Sequence, residues 1–138
     1  MTATATALIG FILWYLLLYV MLGGLRVGYA LAGKKKPNSF APDGSDVSPF
    51  AHRLARAHAN CYEGFPFIGG LMLLALVTGT AGITAPLAFV VLGARIVQSS
   101  IHLISTSVLA VQVRFLFLLV QLGIGAYWAV LLALDLSG

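Results

Sequence analysis

Two short polar patterns interrupt a chain that is otherwise apolar. Arg56, Asn60 and Glu63 are spaced i, i+4, i+7, and Arg95, Gln98 and His102 are spaced i, i+3, i+7. On a helix each trio shares one face. Two more cations, Arg26 and Arg114, stand near the ends of two further apolar runs. Together these residues set four arginines against a single acid, Glu63. Such a set leaves positive charge to spare. It suits an anionic ligand, because guanidinium groups bind carboxylates through two parallel hydrogen bonds. Two other readings stay open: arginines near the span ends that snorkel to headgroups, and a polar network that binds nothing.

The elements that must carry these residues are membrane spans. Of the 138 residues 60% are hydrophobic and 9% charged, with a mean hydropathy of +0.99. Soluble domains lie nearer 45–50% and about 25%. The composition therefore predicts a single integral membrane domain over residues 1–138, all-α, with four transmembrane helices. A bilayer core takes roughly 20 apolar residues per helix, which places spans over about 7–32, 49–77, 87–106 and 112–134. Ser48 followed by Pro49 reads as an N-cap and first helical position for the second span. The segment Thr78–Pro86 reads as a turn, since Gly, Thr and Pro disfavour a continuing helix. Gly23–Gly24 and Gly69–Gly70 read as sites of close helix approach.

The loop between the first two spans, about 33–48, carries Lys34, Lys35 and Lys36. The positive-inside rule assigns it to the cytoplasm and both termini to the opposite side. Arg53 and His52 read as residues of the water interface. The formal charge of +4 comes without a basic stripe interleaved with aromatics, so nucleic acid is not an expected partner; membrane lipid is. The pattern GxxxxGK[ST] is absent, as is any Cys or His spacing for a metal. The one cysteine, Cys61, reads as a packed small residue. No basic residue precedes the first apolar run, which argues against a cleaved signal peptide.

At about 1.5 Å per residue, Glu63 lies roughly 22 Å along its helix from Ser48, and Arg95 roughly 18 Å from the cytoplasmic end of its own. The two charges thus reach similar depths. An unpaired charge there costs at least about 2.5–3.5 kcal/mol, so Glu63 and Arg95 are expected to pair, within one chain or across an oligomer interface.

The run RAHANCYEGFPF, Arg56 to Phe67, resembles the second-helix signature of the MAPEG family, the membrane-associated proteins of eicosanoid and glutathione metabolism. The matching residues are Arg56, Asn60, Glu63, Pro66 and Phe67. Arg95 resembles the family's third-helix arginine, and Arg114 the arginine that opens the fourth helix. The resemblance implies a homotrimer of four-helix subunits that binds glutathione, or another low-molecular-weight thiol, between neighbouring subunits at the cytoplasmic end. The implied activity is transfer or peroxide reduction on lipophilic electrophiles. Arg114 would then stabilise the thiolate. Arg26, Arg56, Asn60, Glu63, Arg95, Gln98 and His102 would hold the tripeptide, with Arg26 near its carboxylates. The chain departs from the family at four places. Ala59 stands where several members have a second Arg, His102 where many have Tyr, Gln98 where some have His, and Phe115 where some have Ser. Because these departures touch the thiol pocket, a second reading stands beside the enzyme: a non-catalytic membrane protein with a structural, lipid-binding or partner-binding role.

Overall fold

A computed structural model describes residues 2–138; Met1 lies outside them. The described chain forms four helices, α1 (Ala3–Leu31), α2 (Pro49–Val77), α3 (Ala81–Ile104) and α4 (Val108–Ser137), each long and apolar enough to cross a membrane. Lipid offers no hydrogen-bond partner to backbone groups, so a helix is the one local structure that satisfies such segments from within. Three helix starts carry a side-chain cap. The Ala5 N–H donates to Thr2 Oγ1 (3.1 Å), Ala51 N–H to Ser48 Oγ (3.0 Å) and Ala110 N–H to Ser107 Oγ (3.2 Å). Pro49 follows its cap, at a position where a missing N–H costs nothing.

The turn expected over Thr78–Pro86 is shorter than that. Helix α3 already starts at Ala81, with Pro86 inside it. Pro86 is the sixth residue of the helix, so its missing N–H removes a single bond near the frayed end, and the flanking apolar residues carry the helix through it. Helices α1 and α4 likewise run beyond the apolar stretches that mark lipid contact, because their caps lie in polar flanks.

Helix α3 is the hub and packs on α1, α2 and α4; α2 also touches α1 and α4. Thr4 Oγ1 at the start of α1 donates to Ala81 O (3.1 Å) and lies 2.8 Å from Thr84 Oγ1, which brings the starts of α1 and α3 together. At the other end Arg53 Nε donates to Leu103 O (2.8 Å) and fastens the start of α2 to the end of α3. Arg53 is thus a structural tie, beyond the interface role read from the sequence. A main-chain carbonyl at a helix C-terminus has no helical partner, and a guanidinium there meets both its lone pair and the helix dipole.

The core mixes small residues that let backbones approach (Ala7, Ala57, Ala88) with large ones that fill the layers (Phe11, Leu18, Leu54, Ile68, Met72, Trp128). Cys61 is a free, buried thiol in this cluster. Close approach does not occur at Gly23, Gly24 or Gly70, where a Cβ would meet open space. It occurs at Gly64, whose Cβ would collide with the guanidinium of Arg95.

Candidate functional site

The polar residues collect along one seam between α2, α3 and α4. Near the end that carries the 32–48 loop, the Asn60 amide nitrogen donates to His102 Nδ1 (3.1 Å), which places the imidazole proton on Nε2. His102 lies within Coulombic reach of Arg56, Arg114 and His52. Arg114 is half-buried, and its Nε is buried with no acceptor. Arg56 is exposed on the same seam and within Coulombic reach of Arg114.

Deeper in the bundle, Glu63, Arg95 and Gln98 join Asn60 around a cavity of about 250 Å³, walled by Gly64, Phe67, Leu118 and Leu122. Arg95 is 1% exposed, yet its Nε and Nη1 have no hydrogen-bond acceptor in the protein. Its guanidinium carbon sits 5.8 Å from the centre of the Phe11 ring. The ion pair expected between Glu63 and Arg95 is not formed within the protomer. The one ion pair among the described residues joins Lys35 to Asp46 (2.7 Å) in the loop. The reason is helical geometry. Gly64 faces Arg95, and the preceding residue is turned by about 100° to the rim, where the Glu63 side chain is exposed.

Arg26 is held elsewhere. Its Nη2 donates to Pro42 O (3.1 Å) and Ala41 O (3.4 Å), and it lines a separate cavity of about 330 Å³ with Val27, Pro37, Asn38 and Phe40. In the protomer it is therefore a clasp for the loop and does not reach the Arg95 cavity. The same loop is closed by Asp46, whose Oδ2 accepts from the Ala41 N–H (2.9 Å), and by His52 Nδ1, 2.8 Å from Asp43 O. The hydrogen bond from Lys35 and that from Ala41 hold the Asp46 carboxyl below the usual carboxylate value of 3.8. The Lys run is thus partly built into a folded loop.

Two polar features, one on the seam and one between α1 and α2, escape a reading based on charge. Gln121 on α4 is fully buried, and its Nε2 donates to Gln98 Oε1 (2.8 Å) and to Phe117 O (3.0 Å). Its spacing from Arg114, i+7, was the available signal. His58 stacks against Tyr15 (5.0 Å between ring centroids) and lies 5.1 Å from Tyr19, beside an apolar groove of about 480 Å³ between α1 and α2. No spacing rule points to His58. The groove is lined by Ile12, Tyr15, Leu16, Tyr62, Phe65 and Pro66, with Glu63 at its edge.

Chemically, the cavity offers donors from Arg95, Gln98 and Asn60 and one carboxylate acceptor at the rim. That set matches a zwitterionic or anionic small molecule better than a neutral one. Four membrane-length helices around an internal polar seam define a multi-pass integral membrane protein of the four-helix-bundle class. The MAPEG family model matches residues 4–134 of the 138, and the chain belongs to the MAPEG family, which includes glutathione-dependent transferases and peroxidases as well as non-catalytic members. No curated protein and no solved structure matches the chain.

Proposed function

We propose that the protein is a glutathione-dependent membrane transferase or peroxidase acting on lipophilic electrophiles. The observation that carries this reading is Arg95, a buried guanidinium without an acceptor beside a cavity that Asn60, Gln98 and Glu63 also line. A carboxylate of the tripeptide would supply the missing acceptor. Glu63 at the rim would take its ammonium group. Arg114 would face the thiol: free cysteine thiols titrate near 8.5, and an adjacent guanidinium lowers that value toward neutrality, where the thiolate is the nucleophile. The electrophile would arrive from the bilayer through the apolar groove between α1 and α2. Another low-molecular-weight thiol would use the same donors.

The assembly that goes with this reading is a homotrimer, in which a neighbouring copy covers the rim of the cavity and brings its own Arg26 clasp near it. The Lys-rich loop would face the cytoplasm and both termini the opposite side, as its three Lys, with Arg53 and Arg56 just beyond it, favour.

A non-catalytic role draws on one specific observation: Asn60 donates one N–H to His102, and Arg26 is spent on loop carbonyls, so part of the polar set is occupied in structure. The two readings separate in one experiment. Purified protein in mild detergent is mixed with glutathione at neutral pH, and the ultraviolet thiolate absorbance is followed in the wild type and in Arg114→Ala. A thiolate signal lost in the variant supports the enzyme. No signal, together with no heat of glutathione binding by calorimetry, refutes it in favour of the non-catalytic protein.

A further inference from the structure

We infer that Gln121 is a positioning residue that fixes the amide of Gln98 so that its –NH2, and not its oxygen, is offered to the Arg95 cavity. The inference deepens the functional reading above and rests on it for the identity of the ligand.

Three groups, Phe117 O, the Gln121 amide and the Gln98 amide, lie in line. A main-chain carbonyl has only acceptor character, so the Gln121 atom 3.0 Å from Phe117 O has to be the amide nitrogen. An oxygen there would set two partial negative charges at contact distance. The same nitrogen is 2.8 Å from Gln98, and with its first hydrogen spent on Phe117 O it donates the second. The Gln98 atom that receives it is therefore the oxygen. The group Gln98 has left is its –NH2, and Gln98 lines the cavity beside Arg95 and Asn60. An amide alone is indifferent to which end it presents. Here a helix carbonyl on α4, acting through Gln121, makes that choice for α3.

The consequence is selectivity. With the relay intact, the cavity presents donors from Gln98 and Arg95 and favours a carboxylate. Without Gln121 the Gln98 amide can turn either way, and half of its orientations set an oxygen toward the incoming anion. Gln121 touches no ligand in this scheme; it is fully buried and is not among the residues that line the cavity.

The test compares glutathione with its diethyl ester, which keeps the ammonium and has no carboxylate, by calorimetry, in the wild type, Gln121→Leu, Gln98→Leu and the double variant. The expected result is that Gln121→Leu lowers affinity for glutathione relative to the diester by on the order of tenfold, the scale of one hydrogen bond to a charged group. In the Gln98→Leu background the same substitution should change that ratio no further, because the effect passes through Gln98. A merely structural role would weaken both ligands alike, and that result, or additivity of the two substitutions, overturns the proposal. A second measurement needs no ligand. With glutamine side chains labelled with nitrogen-15, both Gln121 amide protons should be protected from exchange while those of Gln98 exchange with water. The reverse pattern overturns the proposal. Absence of glutathione binding with the expected pattern intact overturns the functional reading while supporting the relay.

Discussion

The guanidinium of Arg95 lies against Gly64, in space that a Cβ on residue 64 would occupy. This contact explains how a charged side chain that is 1% exposed fits between α2 and α3. The place opposite it is held by the one residue without a side chain. Gly64→Ala is therefore expected to push Arg95 out of its seat. Overpacking of this kind costs about 1–3 kcal/mol, readable as a lower melting temperature in detergent, and glutathione binding should fall with it. An unchanged melting temperature would show that Arg95 can retreat freely, and the close fit would then carry no energetic weight.

Much of this arrangement is legible in the chain, and the exceptions have physical reasons. Helix α2 is announced by Ser48 and Pro49, whose cap and fixed φ act locally and need no tertiary help. The spacing of Arg56, Asn60 and Glu63, and of Arg95, Gln98 and His102, shows that each trio shares a face, and charges in lipid point inward. Spacing along single helices does not show how α2 and α3 are rotated against each other. That rotation puts Gly64, not Glu63, opposite Arg95. Gln121 shares a helix face with Arg114 by its i+7 spacing, but one amide at that spacing does not show that it is buried; its partners, Gln98 and Phe117 O, do. The resemblance points Arg26 toward a ligand, while its partners in the protomer are carbonyls 15 and 16 residues away in the loop, a contact set by how the loop folds back.

Glu63 separates a role in folding from a role in binding. Its side chain is exposed and makes no ion pair in the protomer. Glu63→Gln should therefore leave the melting temperature of detergent-solubilised protein nearly unchanged, within about 0.5 kcal/mol. The same variant should lose at least about tenfold in glutathione affinity, since an ammonium partner at the rim would be gone. A large loss of stability instead would mean that Glu63 is a structural counter-ion, one supplied across a subunit boundary to Arg95.

Arg95 makes the opposite prediction. A buried charge without hydrogen-bond acceptors lowers stability, and an apolar residue of similar bulk removes that cost. Arg95→Met should be as stable as the wild type or more so, while failing to bind glutathione. Calorimetry for binding and a thermal melt for stability check both halves. Strong destabilisation would show that the guanidinium has partners, such as internal water, that hold the bundle together.

At the opposite end of the bundle, the buried Thr4 and Thr84 hydroxyls lie 2.8 Å apart and both lie within reach of Ala81 O (3.1 and 3.2 Å), so one hydroxyl donates to the other, which donates to the carbonyl. Polar contacts between membrane helices average about 0.6 kcal/mol and reach about 1.7. Thr4→Val and Thr84→Val should each cost about that much. The double variant should cost less than the sum, since the second loss removes a group already without its partner. Denaturation in mixed micelles measures all three; strict additivity would mean that the two hydroxyls do not act as a pair.

The loop supplies a prediction in pH. The Lys35 ammonium and the Ala41 N–H both bond the Asp46 carboxylate and hold it below 3.8. A group whose folded pKa is depressed contributes its stabilisation above the unfolded value and loses it as pH falls through the folded one. The Asp46 contacts are thus fully present at neutral pH and are lost below about pH 4. Arg26 still holds Ala41 O and Pro42 O there, because a guanidinium does not titrate. The loop should accordingly loosen around Ala41 in acid without leaving α1. The amide resonance of Ala41, followed by NMR, should titrate with an apparent midpoint below 3.8 and stay flat from pH 5 to about 8. Asp46→Asn should abolish the titration. Gly44 next to this turn has φ of 69° and packs where a Cβ would meet Ala51 O, so Gly44→Ala should open the loop at every pH and leave the midpoint as its only pH-dependent remnant.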